Sequence, residues 1–113
     1  MMNQKDVKIV MCAFPNAEQA RQIGTVLVET QLAACVNLIP GIRSIYRWEG
    51  KLEEQEEVLA FFKTTMARYS ELQQMVIEMH PYEIPELVVL DLAAGLPAYL
   101  QWVVSSTQPV EGA

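Results

Sequence analysis

Residues 7–15 have the sequence VKIVMCAFP, and this stretch decides the fold. Its first eight residues are apolar except for Lys8, and Pro15 stops the run because proline cannot donate a strand hydrogen bond. A short apolar run that contains β-branched residues and ends in this way is typical of a strand buried on both faces. The sequence therefore predicts a first strand over residues 7–14.

The segment after this strand carries a helix signal. Asn16 is a predicted N-cap, with Gln19 as its capping-box partner at the third helical position. Apolar residues then recur at helical spacing between Ala20 and Leu27. We therefore predict a helix from about residue 17 to residue 32.

A long strand over residues 35–49 is predicted next. Its side chains alternate, but Pro40-Gly41 interrupts the pattern. Because a proline within a strand removes a hydrogen-bond donor, we expect a bend, a bulge or a sheet edge there. The dipeptide Glu49-Gly50 is a turn signal and ends the strand.

Residues 51–65 carry two conflicting signals. The glutamate-rich residues 53–57 favour a helix by propensity, whereas the apolar residues 58–62 favour a strand. The residues alone predict a strand from about residue 56. The carboxylates of residues 53–57 are then expected to lie in solvent at the tip of an arm.

Four segments complete the chain. Apolar residues at helical spacing between Tyr69 and Met79 indicate a helix, and the prolines that follow it exclude regular structure. A second short apolar run indicates another buried strand, and a turn signal separates it from a last helix. In order, the predictions are a helix ending before Pro81, an extended loop over 80–86, a strand over 87–92 and a helix over 98–104.

The order of these elements is strand, helix, strand, strand, helix, strand and a small helix. This is the split βαβ pattern, so we predict an α+β, ferredoxin-like βαββαβ sandwich with helices on one face of its sheet. The first and last strands are apolar on both faces, so something must cover the second face. A copy of the same sheet is the simplest cover, and we therefore expect a homo-oligomer.

Composition sets further bounds on the protein. Its 113 residues suit one domain, expected to be ordered over about 6–105 with a flexible tail. With 51% apolar residues the chain is not disordered, and no apolar run is long enough to span a membrane. A net charge of −6 without a basic stripe argues against nucleic acid and anionic membranes as partners.

The compartment and the redox state follow from weaker signals. The N-terminal sequence lacks the layout of a signal peptide, so a cytoplasmic protein is expected. The two cysteines, Cys12 and Cys35, are too few for a disulfide framework or a structural zinc site. Both are expected to be reduced thiols.

Enzymatic chemistry finds little support in the sequence. His80 is the single histidine, and no serine lies in a nucleophile-elbow sequence. Neither a P-loop nor a GxGxxG sequence is present. A catalytic pair of Cys12 and His80 is conceivable, but a thiol on a buried strand is more often inert packing. We therefore expect no enzyme.

Metal binding is the better candidate. Cys12 is a soft ligand, His80 is an intermediate one beside the thioether of Met79, and Glu86 adds a carboxylate. This mixture suits copper or zinc, but its spacing matches no established zinc motif. The structural alternative is that Cys12 belongs to the core, His80 caps a helix end and Glu86 is a solvated charge.

Three other residues have two interpretations each. Tyr46 and Trp48, near a hairpin tip, line either a pocket or a subunit contact, and the contact is favoured because a monomer seldom exposes them together. Lys63 is either a residue at the sheet edge or a charge that binds a ligand.

Six short motifs resemble one family, and they do so in order and in spacing over about residues 7–104. The family is the CutA divalent-cation tolerance family. The motifs are LAACVN at 32–37, IPG at 39–41, YRWEGK at 46–51, FKTT at 62–65, HPYEIPE at 80–86 and YLQW at 99–102.

The resemblance implies a ferredoxin-like subunit in a tight homotrimer. In that family the hairpin at residues 36–65 embraces neighbouring subunits, which makes residues 51–65 strand and gives Trp48 an interface role. Clefts between subunits, like those of the nitrogen-regulatory signal proteins, bind small ligands. A metabolite there, held by Lys63, Tyr82 and Glu86, is the alternative function, and a trimer whose stability is itself the adaptation is a third hypothesis.

The resemblance also implies a role in tolerance of copper and other divalent cations. The implied metal ligands are Cys12, His80 and Glu86, with no enzymatic activity and no required cofactor. Members with two successive histidines have the first where this chain has Met79. A methionine serves Cu(I) but serves Zn(II) poorly.

Overall fold

Four strands and three α-helices form the part of the chain that the structure, a computed structural model, describes: residues 3–109. A short 3-10 helix at Gln4–Asp6 precedes them. In chain order they are β1 (Val7–Phe14), α1 (Ala17–Glu29), β2 (Cys35–Trp48), β3 (Lys51–Thr65), α2 (Met66–Met79), β4 (Leu87–Asp91) and α3 (Pro97–Ser106). This confirms the predicted α+β class and the order of its elements.

The strands form one antiparallel sheet in the order β2-β3-β1-β4. This order is that of the predicted ferredoxin-like fold. The strand β1 lies between β3 and β4, so that Val10 is paired with Phe62 on one side and with Val89 on the other. The central position of β1 agrees with its almost wholly apolar sequence, although Ile9 and Met11, on the second face of the sheet, are only partly buried in the single chain.

The long hairpin of β2 and β3 is regular to its tip. β3 begins at Lys51, five residues before the predicted start near residue 56, and Lys51 is paired with Trp48 across the turn. Strand pairing overrides the helix propensity of the glutamates here, because each one finds a cross-strand partner on β2. The turn itself uses left-handed backbone at Glu49 and Gly50, which is typical of a two-residue hairpin.

A bulge interrupts β2 where the sequence predicts one. The register between β2 and β3 shifts between Ile39 and Ile42, so Pro40 and Gly41 lie outside the ladder. Gly41 has a φ of 76°, a left-handed value that glycine adopts without steric cost.

One face of the sheet packs on α1 and α2 and forms the main core. β1 contributes three alternate residues to this core, Val10, Cys12 and Phe14, and all three are fully buried. From the helices the core receives mainly Ile23, Leu27, Leu72 and Val76. Each fully buried aliphatic or aromatic side chain contributes about 1.5–3 kcal/mol by leaving water.

The opposite face of the sheet, here called the open face, is apolar and mostly uncovered. It carries the alternate residues of the central strands: Ile9 and Met11 on β1, Leu59 and Phe61 on β3, and Val88 and Leu90 on β4. The last two are 47% and 37% exposed. This confirms that α1 and α2 cover one face only.

The C-terminal helix packs at one end of the sheet. Val103 and Val104 of α3 form a second, smaller cluster with Val7 and Ala34. The helix ends at Ser106, two residues beyond the prediction, and the buried Thr107 hydroxyl donates to the carbonyl oxygen of Val103 at 2.8 Å. The predicted flexible tail lies partly at residues 110–113, outside the described residues.

α1 begins as predicted and ends earlier. The Asn16 side chain accepts from the N–H of Gln19 at 2.9 Å, as expected for the N-cap. The helix ends at Glu29 rather than near residue 32, because Gln31 adopts a left-handed φ of 61°. The N–H of Leu32 then donates to the carbonyl oxygen of Leu27, which closes the helix end.

Replacing Leu72 with alanine tests the core. Leu72 is fully buried on the inner stripe of α2, so its truncation leaves a cavity. We expect Leu72→Ala to lower the free energy of unfolding by about 3 kcal/mol in urea denaturation at fixed protein concentration. Ser70→Ala, at an exposed position on the same helix, is the control and should change it by less than about 0.5 kcal/mol. Equal effects would contradict this packing.

Candidate functional site

Cys12 is a buried thiol in the middle of the sheet. It lies on β1, where its register partners are Ala60 of β3 and Leu87 of β4, and it is fully excluded from solvent. Burial, together with the negative charges of Glu86 and Glu57, raises its pKa to about 12, and burial is the largest of these causes. Cys12 is therefore protonated at neutral pH.

His80 lies directly after α2 and is fixed by three contacts. Its Nε2 and the carbonyl oxygen of Ala13 are 2.8 Å apart, and the N–H of Tyr82 donates to its Nδ1 at 3.1 Å. These partners require the neutral tautomer with its proton on Nε2. The ring also stacks on Phe14, with centroids 4.7 Å apart. Both ring nitrogens are thus occupied.

The pKa of His80 is lowered from its ordinary value. Burial is the main cause, because it disfavours the charged imidazolium. The hydrogen bond to the carbonyl oxygen of Ala13 and the charge of Glu57 oppose this shift without reversing it. His80 is therefore neutral near pH 7, which agrees with the tautomer that its hydrogen bonds require.

Glu57 is a buried carboxylate that the sequence interpretation missed. The glutamates at 53–57 were expected in solvent, but Glu57 is only 7% exposed, and its Oε2 accepts from the Tyr82 hydroxyl at 2.6 Å. Burial and this bond raise the pKa of Tyr82. Glu57 differs from the expectation because it pairs with Ile42 just beyond the bulge, close to the body of the sheet rather than at the tip of the arm.

The loop over residues 80–86 is attached to the sheet at two points. His80 joins it to β1, and Tyr82 joins it to β3. Glu86, at the end of the loop, is exposed, and its charge acts on the buried Cys12 thiol. Glu86 of the loop and Glu57 of β3 thus both act on the Cys12 thiol.

The three predicted metal ligands lie at the same end of the sheet but do not form a preassembled metal site. Within residues 3–109, no group of three or more histidine, cysteine, aspartate or glutamate side chains is arranged to hold a metal ion. Cys12 keeps its proton, His80 has both nitrogens hydrogen bonded, and Glu86 extends into solvent.

Met79, and Lys63 from the predicted metabolite site, lie away from the other candidate residues. Met79 lines a groove beside Arg21 and Thr25 of α1, on the helical side of the molecule. Lys63 is paired with Ile9 near the start of β1, about 20 Å along β3 from the carboxylate that Tyr82 contacts. A single chain therefore does not bring Lys63 together with Tyr82.

Residues 8–106 match the model of the CutA1 divalent ion tolerance protein family. The chain belongs to the CutA family. The divalent-cation tolerance protein CutA of Thermus thermophilus is 44% identical over 100 residues, which span 88% of this chain and 97% of that protein. Protein CutA of Mus musculus is 46% identical over 92% of this chain, which spans 59% of the longer mouse protein.

Solved CutA structures have the same fold. The CutA1 structure from Thermus thermophilus has a TM-score of 0.88 at 43% identity and covers 90% of this chain and 99% of its own. The CutA structure from Synechococcus elongatus also has a TM-score of 0.88, at 36% identity, and covers 95% of both chains. The divalent-cation tolerance family and the ferredoxin-like fold predicted for this chain are thus confirmed.

The compartment of CutA proteins varies in their descriptions. The Archaeoglobus fulgidus structure is described as periplasmic, and the Arabidopsis thaliana relative as chloroplastic. No helix among residues 3–109 is long and apolar enough to cross a membrane.

Lowering the pH should destabilise the protein through His80. Its pKa is lower in the folded state than the ordinary value near 6.5, so the unfolded chain binds the proton first as pH falls. The stabilisation is present above pH 6.5 and is lost below it, by at most about 1.4 kcal/mol per pH unit. We expect His80→Gln, which does not titrate, to lose less stability between pH 7.5 and pH 5.5 in urea denaturation. An equal loss of stability in wild type and in His80→Gln would contradict the lowered pKa of His80.

Proposed function

We propose that this chain is a non-catalytic protein of divalent-cation tolerance that binds copper beside Cys12. The main support is the state of the Cys12 thiol on the central strand β1. This soft ligand keeps its proton because it is buried and because two carboxylates, those of Glu57 and Glu86, act on it. A cation reverses this repulsion, because it is attracted by both carboxylates and displaces the proton of the thiol. Membership of the divalent-cation tolerance family supports the proposal.

Cys12, His80 and Glu86 are the proposed ligands, and binding requires the loop over residues 80–86 to move. His80 can coordinate a metal only after one ring nitrogen loses its present partner, either the carbonyl of Ala13 or the N–H of Tyr82. Release of Tyr82 would free the loop from the helix end. The metal would thus be recognised by rearrangement of the loop rather than by a rigid cage.

We further propose that three copies of the chain form a trimer over their open faces. The support is the exposed apolar sheet surface, together with Trp48 and Ile45 on the hairpin, which are 46% and 64% exposed. Apolar groups of this size on a protein surface mark an interaction site. We place the assembled protein in the cytoplasm, in keeping with the sequence expectation.

The alternative function is a trimer that signals by binding a metabolite. Lys63 and Tyr82 are far apart in one chain, so such a site would need residues of two copies. A thermal-shift screen of metabolites and nucleotides distinguishes this function, since a true ligand stabilises the folded protein by RT ln(1 + [L]/Kd) and so raises the melting temperature as its concentration increases. Stabilisation by copper alone favours the metal role.

Copper affinity should depend on Cys12 and on pH. We expect Cys12→Ser and the double variant Cys12→Ser, His80→Ala to bind Cu(I) at least tenfold more weakly in a chelator competition, with calorimetry for Cu(II) and Zn(II). Because the thiol must lose its proton, wild-type affinity should rise with pH. Cys35→Ser, which removes the other thiol, is the matched control. Unchanged affinity in the double variant would remove the proposed site.

The native mass should be three times that of one chain, which is 12.8 kDa. We expect native mass spectrometry to show this mass at micromolar concentration. Val88→Lys, which places a charge on the open face, should shift the population to smaller species. Glu78→Lys, at an exposed position on α2, is the control for an added lysine and should remain trimeric. A folded wild-type monomer would contradict the proposal.

A further inference from the structure

Cys35 and Lys63 are paired directly across β2 and β3. They are register partners at the start of one strand and the end of the other, so their side chains leave the same face of the sheet next to each other. Lys63 Nζ is 3.8 Å from Cys35 Sγ. The register fixes this proximity, because side chains that are directly opposite in an antiparallel pair have Cβ atoms about 5 Å apart.

The surroundings hold the two groups together. The side-chain oxygen of Asn37 accepts from Lys63 Nζ and lies 3.9 Å from Cys35 Sγ. Tyr99 of α3 is close enough for Cys35 to contribute to the rise in its pKa, of which burial is the first cause. Among residues 3–109, no aspartate or glutamate forms an ion pair with Lys63. The amine therefore has a thiol and an amide as its neighbours instead of a carboxylate.

We infer that Cys35 and Lys63 form a reversible covalent cross-link when the protein meets a peroxide. In the first step the thiol takes one oxygen atom from hydrogen peroxide and becomes a sulfenic acid, while the peroxide is reduced to water. In the second step the nitrogen lone pair of the neutral Lys63 amine attacks the Cys35 sulfur. The S–O bond breaks, and the hydroxyl leaves as a second water with one amine proton.

The product is a sulfenamide with one S–N bond between the strands. Overall, one thiol hydrogen and one amine hydrogen are lost, and one peroxide becomes two waters. Sulfenic acids condense with backbone nitrogens to sulfenamides, and the step inferred here is the same reaction with a lysine amine, which a thiol reductant would reverse. The cross-link would join the start of β2 to the end of β3 and thereby fix the inner end of the long hairpin.

Cys12 cannot undergo the same reaction. It is fully buried, its raised pKa leaves little thiolate, and its register partners, Ala60 and Leu87, carry no nucleophile. Cys35 lies on β2, the edge strand of the sheet, and is half-buried in the single chain. The assembled protein is the form to be tested, because the proposed trimer covers the neighbouring open face. Of the two thiols, only that of Cys35 therefore lies beside an amine.

The test is intact-mass and peptide analysis of the assembled protein after treatment with hydrogen peroxide at mildly alkaline pH. We expect a loss of about 2 Da per chain, restored by dithiothreitol, and a joined peptide that contains residues 35 and 63. Cys12→Ala should cross-link like wild type, which excludes a disulfide between the two cysteines. Cys35→Ser should not react in this way.

The variant Lys63→Arg tests directly whether the Lys63 amine forms the S–N bond, because it keeps the positive charge and removes the nucleophilic amine. Circular dichroism should show that the variant remains folded. We expect it to lose the joined peptide and to accumulate the sulfinic acid of Cys35, a gain of about 32 Da. The inference is overturned if wild type and this variant gain oxygen equally, or if wild-type Cys35 does not react. The copper proposal does not depend on this result, since it uses neither residue.

Discussion

The alternation of side chains along β1 is the constraint on which the rest of the structure depends. Val10, Cys12 and Phe14 enter the core beneath α1 and α2, so Ile9 and Met11 must emerge on the other side. Because β1 is central and both of its neighbours are apolar, the second side becomes a continuous open face. A one-residue slip of this strand would exchange the two sets, which explains why the register is so strongly specified.

The candidate site is a consequence of the same strand. β1 places the Cys12 thiol among apolar neighbours and presents the carbonyl of Ala13 to His80. The loop after α2 then adds Tyr82, which reaches the buried carboxylate of Glu57 on β3. Two strands, β1 and β3, and one loop thus bring the charges of Glu57 and Glu86 to act on the protonated Cys12 thiol, and this arrangement is the basis of the proposed cation site.

Most of the fold could be predicted from local patterns. Continuous apolar runs, strand propensity and side-chain alternation located the four strands, helical spacing and turn signals located the three α-helices, and Pro40-Gly41 located the bulge. The residues alone did not predict the start of β3, because glutamate propensity favours helix until a cross-strand partner is present, whereas the family resemblance implied strand over residues 51–65 and the structure confirms it. The early end of α1 was missed for a similar reason, since a left-handed glutamine at position 31 carries no distinct sequence signal.

The residues of the candidate site could be predicted from the sequence, but their protonation and hydrogen bonding could not. Residue types and family motifs singled out Cys12, His80 and Glu86, yet sequence does not reveal that both nitrogens of His80 are hydrogen bonded. The burial of Glu57 was also hidden, because it depends on the contact of Glu57 with Tyr82, which is distant in sequence. Protonation and hydrogen bonding are properties of tertiary contacts, and a linear pattern does not contain them.

Hydroxyl-radical footprinting of the native protein tests most directly whether other copies cover the open face. In a single chain Val88 and Leu90 are 47% and 37% exposed, comparable with Ile77 on the outer side of α2 at 51%. After correction for intrinsic reactivity, we predict that the two open-face residues are modified several-fold more slowly than Ile77. Equal rates at micromolar concentration would contradict coverage of this face.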